Sequence, residues 1–163
     1  MTLSDLNAYD RAHFVEALGW IFEHSPWVAE RAWEHRPFAS LDDVLEAMAG
    51  VVSAATAGEQ LALLRAHPDL GTRARISEAS AGEQAGAGLD RLTPEEHERL
   101  QRLNAAYRQK FGYPFLFAVK GRNTHQILEA LERRLAGDRE EELAEALRQV
   151  YRIAHSRLQA TVR

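Results

Sequence analysis

At 163 residues the chain can enclose one substantial core, and 45% apolar with 27% charged residues is a globular profile. A net charge of -4, with acids and bases interspersed, offers no basic face for nucleic acid. The absence of cysteine excludes disulfides, thiolate metal sites and a cysteine nucleophile, and no apolar run approaches the roughly 20 residues of a membrane span.

The opening MTLSDLNAYDRAHF lacks the basic-then-apolar layout of a secretory signal, and the closing Thr161, Val162 and Arg163 are not a peroxisomal address. The expectation is a cytoplasmic protein with one domain over residues 1–163. Its helices are predicted in order. Asp10 can cap a helix whose Phe14, Leu18 and Ile21 share one face. Ser25-Pro26 reads as a cap followed by proline at the first helical position, starting a short helix through Trp27 and Trp33 that Arg36-Pro37 stops. Ser40 and Asp43 have capping-box spacing ahead of Leu41, Val44, Leu45 and Met48. Gly58 breaks that pattern, and Leu61 and Leu64 belong to a further helix that ends before Pro68.

Residues 67–90 are different: HPDLGTRARISEASAGEQAGAGLD is too polar to be core. His67 leaves a helix, precedes a proline and sits beside a glycine-bearing turn in a segment without a core pattern, which sets it apart from the other histidines as a functional candidate. The other six histidines (13, 24, 35, 97, 125 and 155) flank or join helices off their apolar stripes. No pair has the i, i+4 spacing of a zinc helix, so no metal site is expected. Ser80 and Glu83 have the spacing of a capping box, a structural reading that competes with a chemical one. Gly86 and Gly88 suggest a close backbone approach or a turn. Between Gly71 and Ser80 the stretch beginning Thr72, Arg73, Ala74, Arg75 is short and basic.

Thr93-Pro94-Glu95-Glu96 is a strong helix start, Leu100, Leu103, Tyr107 and Phe111 keep one face apolar, and Gly112 stops the helix. Tyr113 to Val119 is a short, continuously apolar run with no second strand to pair with, so a buried extended connection is expected there. Its backbone groups need partners, and a polar ligand is one candidate. Asn123 and Gln126 cap the next helix (Ile127, Leu128, Leu131, Leu135), which Gly137 ends. The last helix carries Leu143, Leu147, Val150, Ala154 and Leu158. Arg157 falls within roughly 50° of that stripe, so its guanidinium either snorkels to water or meets an anion in a pocket. The architecture expected is an all-α bundle of about seven to nine helices presenting one polar insert.

The stretches AHPDLG (66–71), SxxEQAGAGLDRLTPEE (80–96), NxAYRxKFGYPFLFAVKGR (104–122) and RIAHSRL (152–158) resemble, in that order, the 2-oxo-4-hydroxy-4-carboxy-5-ureidoimidazoline (OHCU) decarboxylase family. The likeness runs from about Phe14 to Leu158. It implies an all-α, cofactor-free homodimer that forms (S)-allantoin in the last step from urate. It further implies His67 as catalytic acid/base with Glu83 beside it. Pro68, Ser80, Gln84, Phe115, Leu116, Phe117, Ala118 and Val119 would line the substrate site, with Arg157 as its cationic contact. The alternative within enzymes is a lyase or hydrolase acting on another ureido or hydantoin compound, with the lining at 113–119 altered. The alternative outside enzymes is a helical interaction module, for which loss of His67, Glu83 or Arg157 would be the signature. All three are present.

Overall fold

In the computed structural model, residues 1–72 and 76–163 are described, so Arg73, Ala74 and Arg75 of the short basic stretch lie outside the described residues. Among the described residues there are nine α-helices and no strand, and the chain divides into two compact units. One comprises Met1–Ala66 and Val150–Arg163; the other is His67–Gln149.

The first unit holds α1 (Leu3–Ala8), α2 (Arg11–Leu18), α3 (Trp27–Ala32) with a 3-10 turn Trp33–His35, α4 (Leu41–Ala54), α5 (Ala57–Arg65) and the end of α9 (Arg139–Thr161). Asp10 caps α2 by accepting from the His13 N–H, as the sequence predicts. Its helix stops at Leu18, however, and Ile21 is buried from the following turn. Ser25 is not a cap: its hydroxyl donates to the Glu23 carbonyl, and Pro26 itself stands at the head of α3. The break before α5 is made by Thr56, which forms a full capping box with Glu59, so Gly58 lies inside the first turn. Ser40 caps α4, but the Asp43 carboxylate takes the Ala39 N–H instead of closing the box. Phe14, Phe22, Val44, Met48, Leu63, Leu64, Ala154 and Leu158 are among its fully buried residues.

The second unit holds α6 (Glu78–Gly86), α7 (Pro94–Phe111), α8 (Thr124–Leu135) and the start of α9. Thr93 with Glu96 and Asn123 with Gln126 form the predicted capping boxes, and Gly112 ends α7 in the left-handed region at φ 86°. Residues 113–119 form neither helix nor strand, and five of the seven are buried, as the sequence leads one to expect. Tyr107 is their hub, with ring contacts to Tyr113 and Phe115 at 6.0 and 5.4 Å.

The face of α9 departs from the predicted stripe. Leu143 is 37% exposed, whereas its neighbour Glu142 is 4% exposed. The cause is a buried polar cluster: Glu142 accepts from Tyr107 Oη and, at 2.7 Å, from Arg134 Nε, and the Arg134 guanidinium lies 4.6 Å over the Phe115 ring. A buried charge is tolerated where it is paired and hydrogen-bonded, so the helix turns Glu142 inward and Leu143 outward.

Candidate active site

The sequence places His67 just past the end of α5, where Pro68 prevents the helix from continuing. His67 is buried, at 6% exposed, and Pro68 is half-buried. The turn that follows is held by side chains from two helices. Gly71 N–H donates to Gln84 Oε1 at 2.9 Å, Asn104 Nδ2 donates to the Leu70 carbonyl at 2.9 Å, and Arg108 pairs with Asp69 at 3.0 Å. Gly71 itself has φ 72°, and a Cβ there would stand 2.5 Å from Leu100 Cδ2. The left-handed backbone and the close approach together demand glycine.

The competing structural reading of Glu83 fails. Helix α6 begins earlier, with Ser77 as its cap accepting from the Ser80 N–H at 3.1 Å. Ser80 is therefore inside the first turn, and Glu83 lies mid-helix with no cap role. Ser80, Glu83 and Gln84 stand at i, i+3 and i+4, on one face of α6. Ser80 and Gln84 are buried and Glu83 is half-buried. Because Gln84 on that face bonds Gly71, the face carrying Ser80 and Glu83 is turned to the segment that His67 begins. Gly86 has open space where a Cβ would be, so it marks the end of the helix rather than a close approach.

The connection 113–119 is in the same unit. Its Phe115, Leu116 and Val119 are buried, with Phe117 and Ala118 half-buried. The Leu116 carbonyl accepts from the Arg134 guanidinium, and the Ala118 N–H donates to Gln149 Oε1 at 3.0 Å. Protein side chains thus satisfy two of the groups for which the sequence offered a ligand.

Arg157 belongs to the first unit and does not snorkel. It is 5% exposed, donates to Glu23 Oε2 at 2.9 Å and to the Ile21 carbonyl at 3.3 Å, and lies 5.9 Å from the Trp20 ring. Glu23, 2% exposed, was not visible as its partner from the sequence. The other missed residues are Asn104, Arg134, Glu142 and Gln149. Asn104 did leave a signal: it falls four residues after Leu100 and three before Tyr107, a polar residue on an apolar stripe. No group of His, Asp and Glu side chains able to hold a metal occurs among the described residues. A groove of about 780 Å³ in the first unit, lined by Arg31, His35, Asp43, Glu46 and Gly50 among others, includes none of the expected site residues.

The family model described as OHCU decarboxylase matches residues 7–159. The chain is 48% identical over 159 residues to the 2-oxo-4-hydroxy-4-carboxy-5-ureidoimidazoline decarboxylase of Halalkalicoccus jeotgali, covering 98% of this chain and 90% of that one. It is 46% identical to the uric acid degradation bifunctional protein PucL of Bacillus subtilis, over 96% of this chain and 32% of that protein. In fold it is similar to the crystal structure of (S)-allantoin synthase, with a TM-score of 0.82 and 33% identity; the match covers 99% of this chain and 54% of that one, about half its length.

Proposed function

The chain belongs to the OHCU decarboxylase family, and from that premise we propose that it converts OHCU to (S)-allantoin, closing the degradation of urate. The observation that carries the reading at the site is the Gln84–Gly71 bond, which ties the helix face bearing Glu83 to the turn that His67 opens.

The substrate carries a carboxylate and a hydroxyl on one ring carbon, next to a carbon–nitrogen double bond. When the carbon–carboxylate bond breaks, carbon dioxide leaves and its electron pair forms a double bond to the neighbouring ring carbon. The imine pair moves onto nitrogen, which takes a proton. The substrate is its own electron sink, so the step needs no cofactor. The enol hydroxyl then gives up its proton as it becomes a carbonyl, and the ureido-bearing carbon accepts one on a single face. His67 is the group proposed to manage the hydroxyl proton and to deliver the stereospecific one, with Glu83 beside it. General acid/base help of this kind contributes about 10²–10⁴-fold.

Pro68, Ser80, Gln84 and residues 115–119 would line the substrate. Gln84 Oε1 is committed to Gly71, so its contact would be made by the Nε2 donors. A bond from the Ala118 N–H would require Gln149 to release it. The family resemblance, rather than any contact of Arg157, is what supports it as the cationic contact, a planar fork of donors for the carboxylate or the ureido end. Its pairing with Glu23 means that it presents an oriented, partly neutralised cation. A cytoplasmic setting is supported by the lack of cysteine, and a homodimer by the family resemblance, which sedimentation equilibrium would test.

The test follows allantoin by circular dichroism as urate is converted in situ by urate oxidase and the following hydrolase. A fast (S)-allantoin signal above the slow racemic background, lost in His67→Ala, is the expected outcome. No acceleration by a folded sample would refute the reading and turn attention to other ureido and hydantoin substrates.

A further inference from the structure

Two amide side chains converge on a single peptide unit. The Leu70 carbonyl and the Gly71 N–H are the two ends of one peptide plane. Asn104 from α7 donates to the first, and Gln84 from α6 accepts from the second, each at 2.9 Å. Both side chains are buried, Asn104 at 5% and Gln84 at 7% exposed. The plane so held begins three residues after His67, and Gly71 at φ 72° permits the turn.

Asn104 fits poorly as a packing residue. Its Oδ1 is buried without a hydrogen-bond partner, so half of its bonding capacity is desolvated for nothing. Leucine at that place on the apolar stripe would avoid the penalty. The amide cannot be turned over to improve matters, because Oδ1 would then face the Leu70 oxygen. What the side chain achieves is to fix the turn from the side opposite Gln84.

We propose that Asn104 is a positioning residue for His67: with Gln84 it locks the 70–71 peptide, and so fixes the direction in which the chain delivers the imidazole. The inference rests on the reading of His67 as the acid/base of the decarboxylation. Asn104 itself touches no reacting atom in this scheme. Misplacing a reacting group by an ångström costs on the order of 100-fold in rate, while binding contacts that are the same in ground and transition state set KM.

The experiment uses two variants of the whole chain, Asn104→Leu and Asn104→Asp, assayed for (S)-allantoin formation. For Asn104→Leu, kcat is expected to fall about 10- to 100-fold with KM nearly unchanged. Asn104→Asp keeps the shape and can donate only while its carboxyl is protonated, which burial favours. Its activity relative to the unmodified protein at the same pH is therefore expected to recover toward acid, a response that a packing role would not give. An unchanged kcat in folded Asn104→Leu, or a pH-independent ratio for Asn104→Asp, would each overturn the proposal. Should Asn104→Leu not fold, the pH ratio of Asn104→Asp decides. An unmodified protein with no activity on OHCU would instead refute the proposed function. The positioning is then read without substrate, by NMR of the His67 ring and hydrogen exchange of the Gly71 amide in Asn104→Asp. Shifted ring resonances and faster exchange at neutral pH support it, and unchanged spectra overturn it.

Discussion

Glu142→Gln is the most informative stability test of the second unit. The carboxylate is 4% exposed, and one of its oxygens takes both the Tyr107 hydroxyl and Arg134 Nε. Glutamine keeps an oxygen acceptor but removes the charge, leaving the buried Arg134 guanidinium with a carbonyl and an aromatic face. Breaking a buried pair from one side costs about 3–5 kcal/mol, a large share of the roughly 5–15 kcal/mol that a protein of this kind possesses. At about 2–4 °C per kcal/mol for this size of chain, the thermal midpoint should drop by about 6–20 °C. Melting followed by circular dichroism at 222 nm reads it directly. Replacing both partners, Arg134→Met with Glu142→Leu, should cost less than the single change, because no charge is then stranded. Arg134 also holds the Leu116 carbonyl, so the single variant should lose turnover at temperatures where it remains folded. A loss under about 1 kcal/mol, or a double variant worse than the single one, would refute the reasoning, since an exposed pair behaves in that way.

Three further outcomes are expected. Glu83→Gln should leave α6 folded, because Ser77 supplies the cap, and should lower kcat by about 10²-fold or more; full activity would confine Glu83 to structure. Arg157→Lys keeps the charge but loses the planar fork that reaches both Glu23 and the Ile21 carbonyl. It should raise KM and cost about 1–3 kcal/mol, and an unchanged KM would remove Arg157 from the substrate site. The Tyr107 hydroxyl is held protonated well beyond the ordinary tyrosine range, first by burial and then by its bond to Glu142. A group whose folded pKa is raised contributes stability that is complete below its unfolded pKa of about 10 and is lost as pH rises above it. Alkaline unfolding should therefore steepen above pH 10, and Tyr107→Phe should flatten it; identical alkaline profiles would contradict this.

What could be read from the sequence was whatever depends on local chemistry. Thr93, Asn123 and Asp10 announce helix starts because a cap needs only its own next three residues, and 113–119 betrays itself by being apolar without a helical period. The errors share one physical origin, competition between candidates that local rules rank equally. Ser77 and Ser80 are both plausible caps, and the chain chooses the earlier one, which releases Glu83 from a structural duty. Leu143 is expected on the apolar stripe and is exposed instead, because a hydrophobic period cannot anticipate a cation on another helix that draws Glu142 inward. For the candidate site, the turn that follows His67 was legible from its proline and glycine. Its anchors, Gln84 and Asn104, act through bonds 13 and 34 residues away in sequence, and no periodicity encodes such a distance.

The division of the chain also orders its birth. The second unit is continuous, so everything it needs leaves the ribosome in one piece. The first unit is interrupted: its opening segment ends at Ala66, and its remaining piece begins only at Val150. At about 5–20 residues per second, translation takes on the order of 4–17 s to cross that gap. Throughout it, Glu23 has been made and Arg157, 134 residues later, has not. The apolar residues of the opening segment wait over the same interval for the piece that carries the buried Ala154 and Leu158, open to chaperones or to neighbouring nascent chains. Slower elongation, which often helps a protein fold, would lengthen this exposure.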